Sequence, residues 1–100
     1  MATQILINAA TTTTTGNTVA PDETKRSYQA TVVGEGSVSA TVIFEGTNEG
    51  IGYVPLATIT LSGTALASDG FVGESPWTGV RARLTAISGT NAAVTATVGA

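Results

Sequence analysis

Glu45 and Glu49 stand four residues apart in "EGTNEG", with Asn48 between them and a glycine after each. Asp69 and Glu74 form a second, looser pair. Two carboxylates could cleave a glycosidic bond as acid and base if a cleft held them ~5–10 Å apart. An oxygen-rich loop could instead hold calcium, but the helix-loop-helix pattern starts on Asp, and "EGTNEG" has none. A plainer reading needs no chemistry. Asn and Gly suit a turn, and both glutamates are then solvated rim charges.

The rest of the chain offers these carboxylates few partners. With no histidine and no cysteine, Ser-His and Cys-His nucleophiles are excluded, and so are the common transition-metal ligands. The one lysine, Lys25, adjoins a flexible-looking stretch, whereas a catalytic lysine is normally desolvated. Gly34 and Gly36 form a G-x-G that lacks the third glycine and helix start of a phosphate loop. Neither catalysis nor a cofactor or metal site is expected.

Four basic residues against seven acidic ones give a net charge of -3. Lys25–Arg26 and Arg81/Arg83 are separate, so no basic patch for nucleic acid exists. Arg81 and Arg83 share a strand face. They suit pairing with a carboxylate such as Glu45, or contact with an acidic partner. Trp77, the only tryptophan, suits the end of a core, while a sugar platform or protein contact is the alternative. No apolar run reaches the ~20 residues of a membrane span. "MATQILINAA" has no basic residue before its apolar run, so it does not read as a signal peptide. Synthesis in a cytoplasm is expected.

The elements that must position these residues are strands. Only 11% of the 100 residues are charged, against ~25% in ordinary domains, and Thr, Ser, Gly and Asn fill the polar positions. Period-2 alternation recurs. Tyr28, Ala30 and Val32 share one face, as do Val38, Ala40, Val42 and Phe44. Ala57, Ile59 and Leu61 form another set, then Val80, Ala82, Leu84 and Ala86, then Val94, Ala96 and Val98. "GEG" at Gly34–Gly36 reads as a hairpin turn and "SGTN" at Ser88–Asn91 as another. "GTALAS" reads as a short strand and "DGFVGESP" as a loop. "QILIN" is a short strand apolar on both faces, able to pack in its own chain or between chains. The Thr-rich stretch after it, about residues 9–25, reads as a long extended connection or an arm. The expectation is an all-β chain: an antiparallel β-sandwich, jelly-roll-like, of seven to eight strands. Residues 1–26 form the short strand and arm, and 27–100 the sandwich domain.

"ATVIFEGTNEGIGYVPLATITLSG", "DGF", "SPWTGVRARLTAISGT" and "AVTATVG", in this order, resemble a pattern in small structural proteins of tailed bacteriophages. The match covers about residues 30–99. A related arrangement of strand, turn and aromatic occurs in discoidin-like carbohydrate-binding sandwiches. The chain departs from both at Tyr53, where tryptophan is usual, and at Glu49, where aspartate is common. The resemblance implies a non-enzymatic virion protein, such as a head decoration or cement protein bound to the major capsid protein. A glycan- or host-surface-binding module of a tail or fibre is the alternative. A homo-oligomer is expected, with a trimer favoured. Ile5, Leu6, Ile7 and Thr13 in the arm, with Tyr53, Trp77, Arg81 and Arg83, are the candidate interface residues.

Overall fold

A computed structural model describes residues 3–20, 25–74 and 77–99. Five strands follow in order: β1 (Thr3–Ala10), β2 (Thr14–Thr15), β3 (Lys25–Thr47), β4 (Val54–Glu74) and β5 (Gly79–Gly99). They form one antiparallel sheet in the order β1-β5-β3-β4, and β2 also pairs with β5. No helix occurs among the described residues. The described residues are therefore all-β and antiparallel, with five strands among them in place of the seven to eight expected.

The difference in count has a geometric cause. β3 has 23 residues and would span roughly 75 Å if straight, yet the longest dimension of the molecule is 38 Å. The strands are bent near their middles. "GEG" and "SGTN" are not hairpin turns but the bends of β3 and β5, and "GTALAS" is the bend of β4. "DGFVGE" is not a loop but the last third of β4. Register jumps between Val33 and Ser37, and again around Glu35, so the bends of adjacent strands lie side by side. Extra residues at such places kink a strand and increase its twist. Gly36 (φ 70) and Gly89 (φ 132) take backbone angles disfavoured for other residues. A Cβ on Gly89 would also lie 2.9 Å from Val38 Cγ1 and 3.0 Å from the Ser37 carbonyl oxygen.

Bending brings the two halves of each strand face to face. Tyr28 and Phe44 lie on opposite sides of the β3 bend, yet their ring centroids are 5.3 Å apart. Phe71 stacks on Tyr28 at 4.6 Å. Around these rings pack Val32, Val42, Leu61, Val80, Leu84, Val94 and Val98, all fully buried. Each apolar side chain of this size contributes about 1.5–3 kcal/mol on burial. The alternation placed most of this core, but Ala86 is exposed and Ile87 turns inward. Thr41 faces Ala86 while Val42 faces Leu84, so Thr85 is an extra residue and inverts the faces beyond it.

The N-terminal stretch is part of the same sheet. β1 follows the second half of β5, β2 and Val19 follow its first half, and Leu6 and Ile7 are both buried in their own chain. A register shift between Ile5 and Ile7 lets two consecutive residues face the core, while Ile5 points out. The Asn17 amide donates to the Leu6 carbonyl at 2.9 Å, and Gly16 donates to Ala82 at 2.8 Å, fastening the crossing between the two halves.

Candidate interaction surface

Glu45 does not sit on a solvated rim. Alternation puts it on the outer face, directly across from Arg81, but its side chain is only 6% exposed. Arg81 Nε donates to Oε1 at 2.9 Å and Arg83 Nη2 donates to Oε2 at 3.2 Å. Tyr53 reaches over from the loop after β3, with its ring centroid 3.4 Å from Arg81 Cζ. Its hydroxyl hydrogen-bonds Thr18 Oγ1 at 2.8 Å. One cluster thus joins the N-terminal stretch, β3, β5 and a loop. Both Glu45 oxygens accept a charge-assisted hydrogen bond, while the two arginines stay partly exposed. Arg83 Nε is buried with no hydrogen-bond partner among the described residues.

The loop 48–53 is also internally tied. Thr47 Oγ1 donates to the Gly52 carbonyl at 2.7 Å and accepts the Gly50 and Glu49 amides. Glu49 Oε1 accepts the Gly52 amide at 3.0 Å. Asn48 Oδ1 accepts from the amide and hydroxyl of Thr78. Glu49 Oε1 is thus engaged within the loop and Asn48 Oδ1 by Thr78. Glu45 and Glu49 do not converge: one faces two arginines, the other a backbone amide. Asp69 accepts the Gly70 amide, and Glu35 pairs with Asn91 across the bend.

The residues singled out from sequence fall into different places. Tyr53, Arg81 and Arg83 come together, as described. Trp77 is half-buried against the core, and a Cβ on Gly46 would lie 2.5 Å from its ring. Leu6 and Ile7 are interior. Ile5 and Thr13 are exposed.

The outer faces carry hydroxyls in rows across the strands. Ser68, Thr31 and Thr95 stand side by side on β4, β3 and β5, and so do Ser62, Ser39 and Ser88 beyond the bend. Ser68 Oγ bonds Thr31 Oγ1 at 2.8 Å and accepts from Gln29 at 3.0 Å. A groove of about 460 Å³ crosses this face where Gly70 and Gly99 lack side chains.

Periodicity did not reveal the surface along β4. Val54, Leu66 and Val72 are 47%, 59% and 70% exposed there, and Ile51 is 86% exposed in the preceding loop. The sequence assigns none of the four to a face.

No family model matches the chain, and neither the curated proteins nor the solved structures contain a significant match.

Proposed function

We propose that this protein is a non-enzymatic virion structural protein, a decoration or cement protein that binds the outer surface of a phage head and stabilises it. The observation that carries the reading is the pair of hydroxyl rows on the outer faces, Ser68–Thr31–Thr95 and Ser62–Ser39–Ser88. Hydroxyls can be covered by a protein partner, directly or through water, without the cost of desolvating ions. The arrangement of the acidic groups fits a structural role: Glu35, Glu45, Glu49 and Asp69 each hold part of the fold. The resemblance to small phage structural proteins supplies the kind of assembly, with the major capsid protein as partner and the virion as location. We read the bent sheet as a sandwich whose two layers come from the same long strands, in place of a jelly-roll-like winding.

The test is co-sedimentation of the purified protein with empty heads of its parent phage, alongside their thermal disruption. Saturable binding at fixed stoichiometry and a raised disruption temperature are expected. Heads that pellet without the protein would overturn the reading. The alternative of a glycan-binding module would rely on Tyr53, Trp77 and Asn48. Those residues are occupied by Arg81, Gly46 and Thr78, so it draws less support. Glycan-array binding abolished by Trp77→Ala would restore it.

A further inference from the structure

We propose that the open edge of β4 is a seam where a second copy of this chain adds, β4 to β4, about a two-fold axis through the bend. The inference does not depend on the capsid reading, since it concerns what the chain does with itself.

The two sides of the sheet are treated differently. Along β5, the N-terminal stretch covers the edge on both sides of the bend: β1 pairs from Gly99 to Val94, β2 at Leu84 and Arg83, and Val19 at Val80. β4 pairs with β3 alone among the described strands, leaving one side open over its 21 residues. Open edges recruit other strands, and proteins that stay apart blunt them with lysines, prolines, bulges or short length. β4 contains no lysine or arginine, and its one proline, Pro55, and the extra residue Leu56 both lie at its start, before the stretch that runs from Ala57 to the bend. Its only charges are Asp69 and Glu74, and it exposes Val54, Leu66 and Val72. The outer edge of β1, by contrast, is only eight residues long.

The bend selects the occupant. β4 turns at Gly63–Ala65, where Ala65 has φ 66, so a straight strand could pair with one half only. A second β4 has the same bend by construction. A two-fold axis at Thr64 lays residues 54–62 of each copy antiparallel to 66–74 of the other, the sense of every pairing in this sheet. Thr60 then faces Ser68, and Leu61 faces Ala67. Asp69 faces Ile59 and Glu74 faces Val54, so no acidic residue meets another across the seam. Such a contact is isologous and closes at two copies, not at the three expected from the sequence.

The experiment is sedimentation equilibrium of the full chain between about 1 and 100 µM, with two variants at the exposed positions Thr60 and Ser68. Wild type is expected to show a dimer within this range. Thr60→Lys/Ser68→Lys, which sets lysines against each other twice, should weaken it by at least about tenfold. Thr60→Lys/Ser68→Glu, which pairs opposite charges at the same two places, should retain it. Circular dichroism melts check that both variants fold. A wild-type monomer throughout, a trimer, or a dimer equally strong in the Lys/Lys variant would overturn the proposal. A dimer that fails to bind heads would leave it standing and overturn only the capsid reading.

Discussion

Glu45 shows how a surface position becomes interior. Its place in the alternation points it outward, and two arginines and a tyrosine then cover it. Replacing it with Gln keeps the shape and removes the charge, leaving Arg81 and Arg83 facing a neutral amide. Because both arginines are partly exposed, the expected loss is about 1–2 kcal/mol, read from urea denaturation midpoints. A change below the error of the fit would show that the cluster is not a fastening. Gly46 makes a second case. Any side chain there meets the Trp77 ring, so Gly46→Ala should cost about 1–3 kcal/mol and shift tryptophan emission to the red as the ring is displaced. The arginine pairing was legible in the sequence, because Glu45 and the Arg81/Arg83 face could be matched by alternation. Its burial was not, because Tyr53 arrives from a loop whose path no periodicity encodes.

Among the elements, the bends were the part least legible. Glycine with Asn or Ser between alternating runs has the same composition whether the chain reverses or merely kinks. Gly34–Gly36 and Ser88–Asn91 therefore read as turns, and long strands were divided into short ones. What distinguishes the cases is pairing. In a hairpin the flanking runs pair with each other, whereas here each run pairs with its counterpart in the next strand, on both sides of the bend. Faces were legible to either side of each bend because period 2 survives until an extra residue intervenes. The exchange of Ala86 for Ile87 marks where it fails. Ala65 holds a left-handed backbone without being glycine. Ala65→Gly should therefore stabilise the fold by about 0.5–1 kcal/mol, the relieved strain exceeding the added freedom of the unfolded chain. Gly89→Ala, with both the angle and the space against it, should destabilise. Thermal melts showing the opposite order would mean that the bends do not lie where the register places them.

For the whole molecule, the N-terminal stretch decides between two kinds of device. The sequence allows an arm that grips a neighbour or a connection within the chain; β1, β2 and Val19 pair along β5 of their own sheet. Leu6 and Ile7 together contribute roughly 3–6 kcal/mol of burial, a large part of the ~5–15 kcal/mol by which domains are stable. Deletion of residues 1–20 should therefore abolish the cooperative unfolding transition. A truncated chain that melts cooperatively but no longer assembles would show the arm to be separable. Under the two proposals, assembly falls to the outer faces and to β4, surfaces that become visible only once the strand order is known. The proposed role as a capsid-binding protein is tested most directly by cryo-electron microscopy of empty phage heads saturated with the purified protein. Ordered density with this bent five-stranded fold, repeated at symmetry-related positions outside the shell, is the expected result. A bare shell would contradict the account.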